Sequence, residues 1–287
     1  MDTISHRGVV SMKPYNELKS QDKKDIISMY YENHAFTDIS EHLNVSRRSV
    51  SRVLKEASIN TRLKNRYTLN ESYFETIDTE KKAYWLGFLY ADGYVGNNNY
   101  NNVVLSSIDQ EHIQKFSDDI EYTGNLRKRV GGFEGSKEQL VINFSSEKMT
   151  SDLRNIGLYP GKSTTMESFP EIDSDLVNHF IRGYFDGDGS VYEQRSTSYH
   201  KDKMYEYQRN IVSIIGTYKF LMEILEHLPM MHRIRKSKTE SMFYIEYYGR
   251  HDFEDIYDYL YKNATIYLDR KFNKFETLLA PLKSNFY

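Results

Sequence analysis

Residues 180–191 read FIRGYFDGDGSV, and residues 84–95 read YWLGFLYADGYV. Each is an apolar, helix-like run with a glycine in its middle, Gly183 or Gly87, and each ends in acid beside glycine. Aligned, G-F-L-Y-A-D-G-Y-V and G-Y-F-D-G-D-G-S-V share a single acidic position, held by Asp92 and Asp188. Asp186 faces Tyr90, which leaves it a bystander or a supporting acid. An interior helical glycine costs about 1 kcal/mol relative to alanine. A carboxylate in the last helical turn opposes the negative end of the helix dipole, by about 0.3–1 kcal/mol. The chain incurs both penalties twice, which makes sense if the two helices lie side by side, the glycines allowing close backbone approach and the carboxylates projecting to a common point.

Plainer readings of the motif compete. A glycine after a helical aspartate suits the left-handed position of a C-cap. DGDGS as a calcium loop fails, because the sixth position is Val191 where glycine is needed and the twelfth is Thr197 where a bidentate glutamate belongs. A hairpin turn at Asp-Gly is excluded by the length of the apolar run before it. The paired reading accounts for all the penalties together: two acids and two dipole ends of one sign demand cations. A divalent ion would relieve the repulsion, orient a water and stabilise charge developing on a phosphodiester. The chain has no cysteine and no His-x-x-x-His cluster, so oxygen-coordinated Mg²⁺ is the natural ion.

Around these motifs the chain reads as a tandem repeat. A helix to Asp92 is followed by strand candidates at 94–95 and 102–106, a helix at 109–120, strands GNLRKRV and KEQLVINFS, and a helix at 147–157. The order αββαββα returns after a proline-containing junction: helix DSDLVNHFIRGYFDGDG, SVYEQ, YQRNIVSIIG, helix YKFLMEILEHL, HRIRKSK, SMFYIEYYG and a helix at 251–263. The second copy is longer, and the excess falls in STSYHKDKMYE, read as a surface-loop insertion. The expected divisions are an N-terminal tail and DNA-binding domain at 1–66, a linker at 67–78, and repeats at 79–170 and 171–287.

The N-terminal part has a different pattern. Ile26, Ile27 and Tyr30, then Ile39 and Leu43, then Val50, Val53 and Leu54 mark the inner faces of three short helices. Ser46 is placed to cap the third, whose outward positions are Arg47, Arg48, Ser49, Ser51 and Arg52. The formal net charge of −3 argues against a uniformly basic nucleic-acid binder, so binding must come from segregated charge. It is segregated here: Arg47, Arg48, Arg52, Lys55, Arg62, Lys64 and Arg66 face the lone acid Glu56 between residues 43 and 66. TDISEHLNVSRRSVSRVLKE resembles the helix-turn-helix proteins of bacteria and phages, which implies a recognition helix that enters the major groove of DNA.

WLGFLYADG and IRGYFDGDG, each followed by ββαββα, resemble the signature helices of the LAGLIDADG homing endonucleases in their single-chain, two-repeat form. The resemblance covers residues 79–280. It implies an α+β fold of two pseudo-symmetric αββαββα repeats, with two antiparallel sheets forming a saddle over DNA and the signature helices as the central interface. It further implies that Asp92 and Asp188 hold metal and serve cleavage of both strands across the minor groove, and that lysines assist. By their position after each repeat's last helix, these lysines are Lys162 and Lys271. Strand parity puts Arg127 with Arg129, and Arg233 with Arg235, on one face each for base or phosphate contacts.

The expectation is a Mg²⁺-dependent, site-specific double-strand DNA endonuclease. It would be a monomer, free-standing or intron-encoded, on a long asymmetric target, its N-terminal arm lengthening the recognised site. A non-cleaving DNA-binding regulator and an intron-RNA maturase stay open as alternatives on the same scaffold. With no apolar leader or span, a cytoplasmic, bacterial or phage-encoded protein is expected.

Overall fold

The computed structural model describes residues 12–284 apart from 33, 60, 62–66, 98–99, 132–134, 162–167, 201–202 and 239–240, without the side chains of 199, 200 and 282–284. Contacts divide the chain into two units, residues 1–68 and 69–287. Among the described residues no helix is long and apolar enough to cross a membrane.

In the first unit, helices α1 (Ser20–Tyr31), α2 (Phe36–His42) and α3 (Arg47–Glu56) close around Ile26, Tyr30, Ile39, Val45, Val50, Val53 and Leu54. Ile27 and Leu43 pack at the margin. The α2–α3 turn is tight, with Asn44 in the left-handed region at φ 53°, a conformation asparagine tolerates better than most residues. Ser46 caps α3 by accepting the Ser49 amide at 3.0 Å. The same oxygen meets the Ser49 hydroxyl at 2.8 Å, and Ser49 is buried. This corrects the reading of Ser49 as an outward, DNA-facing residue: three positions after the cap, its hydroxyl turns back to the cap. Arg47, Arg48 and Arg52 do face solvent.

The second unit is a duplicated αββαββα. Its first half runs α4 (Glu80–Asp92), β1 (Tyr94–Val95), β2 (Asn102–Ser107), α5 (Gln110–Asp119), β3 (Arg127–Val130), β4 (Glu138–Ser145) and α6 (Glu147–Asn155). After a 3₁₀ turn at Ser174–Leu176 the second half runs α7 (Val177–Asp188), β5 (Ser190–His200), β6 (Lys203–Gly216), α8 (Tyr218–His227), β7 (Arg235–Lys236), β8 (Phe243–Tyr247) and α9 (Arg250–Tyr261). A further helix, α10 (Asp269–Ser284), follows. The sheets are antiparallel with the same strand order, β1-β2-β4-β3 and β5-β6-β8-β7. Each half buries alternate strand residues against its helices: Val103, Leu105, Ile142 and Phe144 in one, Val212, Ile214, Ile245 and Tyr247 in the other.

Three stretches differ from the sequence reading. Residues 69–78, read as a linker, belong to the second unit: Phe74 is fully buried, and the Ser146 hydroxyl donates to Glu71 at 2.6 Å. In STSYHKDKMYE, read as a loop, residues 196–200 and 203–206 are strand, since β5 and β6 pair continuously from Ser190↔Ser213 to His200↔Lys203. Its alternating serine, threonine and tyrosine suit a strand, yet β6 is exposed from Lys203 to Arg209, so no buried face printed a period into the sequence. HRIRKSK forms strand only at Arg235–Lys236, leaving Arg233 exposed outside it.

Candidate active site

The signature helices α4 and α7 are buried nearly all round, from Ala83 to Tyr90 and from Phe180 to Asp186. Their glycines are the crossing point. A Cβ on Gly87 would lie 2.0 Å from the Phe180 carbonyl oxygen, and one on Gly183 would lie 1.9 Å from that of Tyr84. Each glycine thus makes room for the other helix's backbone. The approach continues to the C-termini, where a Cβ on Gly187 would come 2.2 Å from Ala91 Cβ and 3.5 Å from a carboxylate oxygen of Asp92.

Asp92 and Asp188 line one cleft of about 600 Å³, with Tyr94, Tyr159, Tyr184 and Thr217 among its walls. Asp92 is exposed and Asp188 half-buried. The Tyr184 hydroxyl donates to the Ile215 carbonyl at 2.8 Å. Burial, then the negative charge of Asp188 and hydrogen bonding to it, and last the charge of Asp92, push this phenol well above its ordinary range. The glycines after the two acids are not left-handed caps, because Gly93 and Gly189 have φ near −77° and −81°. What requires glycine is contact: a Cβ at Gly189 would fall 2.1 Å from the Phe185 ring, and one at Gly93 would fall 2.5 Å from the Leu89 side chain.

Lys271, near the start of α10, is 6 % exposed and sits beneath this site. Its ammonium donates to the Phe185 carbonyl at 2.6 Å and the Gly187 carbonyl at 3.2 Å. A cation therefore closes the negative end of α7, where such a charge is favourable. Burial lowers its pKa to about 8, against the pull of Asp186, Asp92 and Asp188. Lys162 lies outside the described residues.

Asp186 is no bystander. It is 1 % exposed and accepts from the Tyr84 hydroxyl at 2.8 Å, the Tyr261 hydroxyl at 2.7 Å and the Leu268 amide at 2.7 Å. Burial raises its pKa, opposed by Lys271 and by these hydrogen bonds. Because Tyr84 donates to Asp186, His112 Nε2, 2.9 Å away, must be the donor to Tyr84, and Nδ1 stays unprotonated, with no partner among the described residues. Burial pushes the His112 pKa down from 6.5 to about 4. Between those values the unfolded chain binds a proton that the folded chain refuses. Stability should therefore fall as the pH drops from 6.5 to 4, with His112 contributing about 3 kcal/mol of the loss. Urea unfolding at pH 7 and pH 4.5 checks this, since His112→Gln should flatten the dependence.

Strand register fixes the basic residues. Arg127 and Arg129 stand opposite Val141 and Gln139, on the sheet face away from the buried Ile142 and Phe144. Arg235 stands opposite Tyr244, on the corresponding face of the second sheet, 3.6 Å from Glu246. Arg52 of the first unit lies over the Tyr15 ring at 4.0 Å and pairs with Glu56 at 3.5 Å.

Residues 175–261 match the family model described as a LAGLIDADG-like domain. No curated protein matches the sequence. Among solved structures, the I-LtrWI LAGLIDADG homing endonuclease bound to target DNA is similar at TM-score 0.53 and 13% identity, over 75% of this chain and 92% of that one. The I-SmaMI LAGLIDADG homing endonuclease bound to cleaved DNA gives 0.50 and 13%, over 73% and 91%. The LAGLIDADG meganuclease I-AabMI bound to uncleaved DNA gives 0.50 and 9%, over 70% and 91%. The second repeat is thus similar to a LAGLIDADG-like domain, and the chain shares the two-repeat fold of the LAGLIDADG homing endonucleases.

Proposed function

We propose that the protein is a site-specific endonuclease that cleaves both strands of a DNA target, with Asp92 and Asp188 as the central carboxylates. The observation that carries this reading is the convergence of two shared acids, one from each repeat, in a single cleft at the ends of two helices crossing on glycine. A regulator that only bound DNA would have no use for two acids there, where they repel phosphate.

The donors suit a hard divalent ion. Among the described residues no cluster of three or more histidines and acids is available for a metal, so a soft or all-protein cage is not on offer. Mg²⁺ keeps several waters and is commonly bound by one or two carboxylates together with phosphate oxygens. Asp92 and Asp188 would hold it, and when bound it would supply charge stabilisation at the phosphodiester and a more acidic water. The chain's own part is to fix the two carboxylates: α4 and α7 by their glycine crossing, and α7 further by Lys271 on its terminal carbonyls. Arg127, Arg129 and Arg235, with Arg233 beside the strand, provide basic groups for phosphates or base edges on the outer sheet faces. A single chain supplies both halves, so a monomer suffices and its target is asymmetric.

Cleavage is tested by incubating the protein and Mg²⁺ with a randomised duplex library, recovering cut molecules and repeating with EDTA. Double-strand cuts at one sequence, absent with EDTA, support the reading. Binding without nicking counts against it.

The first unit we read as a helix-turn-helix DNA-binding arm, supported by the exposed Arg47, Arg48 and Arg52 on a helix capped by Ser46. Arg47→Ala/Arg48→Ala should weaken target binding about tenfold and lower the slope of log K against log salt by about 2, since each arginine removed leaves one phosphate no longer neutralised. The single-turnover cleavage rate at saturation should not change. Anisotropy titrations at several salt concentrations measure the slope, and an unaltered slope would remove the arm from the binding surface.

A further inference from the structure

Asp186 and Tyr90 occupy the same position in the two signature motifs, two residues before the shared acid, and differ completely in chemistry. The Tyr90 hydroxyl donates to the Ile156 carbonyl at 2.6 Å, just past α6. Asp186 accepts the Leu268 amide at 2.7 Å, seven residues past the end of α9 and directly before α10. In each half, therefore, the same turn of the signature helix is tied to the backbone that follows that half's last helix. A phenol makes the tie in one half, and a buried carboxylate makes it in the other.

The second tie is the more elaborate. The strap between α9 and α10 is also pinned where the Thr265 amide and hydroxyl donate to Glu80 at 2.7 and 2.8 Å, and where Arg182 Nε donates to the Ile266 carbonyl at 2.9 Å. Tyr261 and Tyr84 hold the Asp186 carboxylate from either side. Three residues beyond Leu268, Lys271 reaches the Phe185 and Gly187 carbonyls, which belong to the turn that carries Asp188. Asp186 thus orients the strap, and the strap returns a cation to the backbone supporting Asp188. The Tyr90 tie acts directly, fastening its own turn of α4 to the end of α6.

We propose that Asp186 and Tyr90 are positioning residues acting separately on the two halves of the site, Asp186 on Asp188 through the strap and Lys271, and Tyr90 on Asp92. Each then governs a different strand of the duplex. The proposal rests on the nuclease reading above. A misplacement of about 1 Å in a reacting group can lower a rate about a hundredfold, so loosening one half should unbalance the two cuts.

The test uses the full chain, Mg²⁺ and a selected target duplex, end-labelled on each strand in turn, under single-turnover conditions at saturating protein. Asp186→Asn removes the charge and puts an amide donor where three donors converge, so either a tie breaks or the Tyr261 hydroxyl must turn from donor to acceptor. Cutting of one strand should slow at least about tenfold more than cutting of the other, nicked duplex should accumulate, and affinity should hold. Tyr90→Phe should accumulate the opposite nick. Tyr261→Phe keeps the acid and removes one donor, so it should bias cutting in the direction of Asp186→Asn, by less. It carries the comparison if Asp186→Asn does not fold. The proposal is overturned if the strands slow in parallel in the Asp186→Asn or Tyr261→Phe protein, or if Tyr90→Phe favours the same nick. If the wild type cuts neither strand under these conditions, the nuclease reading itself fails, whatever the variants do.

Discussion

Replacing Asp188 with asparagine is expected to slow duplex cleavage about 10³-fold, with little change in affinity for the same duplex. A bound divalent ion contributes several kcal/mol of charge stabilisation to a phosphoryl transition state, and about 4 kcal/mol corresponds to 10³ in rate. Asparagine has the shape of aspartate and lacks the charge that would hold the ion. The substitution should leave the fold alone, since Asp188 is half-buried at the helix end whereas Gly183, where the helices cross, lies more than a turn before it. Asp92→Asn, at the equivalent end of α4, should behave alike. Single-turnover rates on denaturing gels, paired with anisotropy binding curves, separate chemistry from affinity. Cleavage within tenfold of wild type would remove Asp188 from the catalytic centre.

Gly183→Ala should destabilise the second unit by at least about 3 kcal/mol, the upper end of the overpacking range. Alanine gains about 1 kcal/mol of helix propensity, so the sign of the effect is set by what the added methyl meets. It meets backbone: the Tyr84 carbonyl oxygen at 1.9 Å and the Phe88 amide nitrogen at 2.9 Å. No rotamer relieves such a contact, and the helices must separate along a surface that is otherwise fully packed. Gly87→Ala faces the reciprocal clash with Phe180. Calorimetry should record a melting temperature lower by roughly 10 °C for either, from about 2–4 °C per kcal/mol in a unit of this size. A stability equal to wild type would mean that the helices do not cross at these glycines.

What the sequence discloses here depends on whether the cause of a feature is local or repeated. Gly87 with Gly183, and Asp92 with Asp188, are legible because the chain states them twice, and the αββαββα order is legible because buried faces impose their periods. Ser49 misleads because a helical wheel tells outward from inward but not which polar group will fold back onto a cap. The β5–β6 hairpin hides because an exposed arm has no apolar alternation to display. Tyr73 and Phe74 are adjacent buried residues in a stretch without helical or strand period, so their burial leaves no pattern. Asp186 is the sharpest case. Its partners are Tyr84, Tyr261 and Leu268, all remote in the chain except through the fold, and the comparison of motifs that singles out Asp188 is the same comparison that sets Asp186 aside. One local signal was available: a charged residue in an otherwise apolar helical run must find partners if it is buried.

The mutual dependence of α4 and α7 also bears on how the chain is made. Ala83 to Tyr90 are buried on every side, chiefly because α7 covers one flank, and Glu80 receives Thr265 from near the C-terminus. On a ribosome adding about 5–20 residues per second, α7 follows α4 by roughly 5–20 s. Through that interval the nascent first repeat exposes an aromatic helix with nothing to close it. The ribosome-bound first half should accordingly engage chaperones, and release from them should coincide with the emergence of the second signature helix.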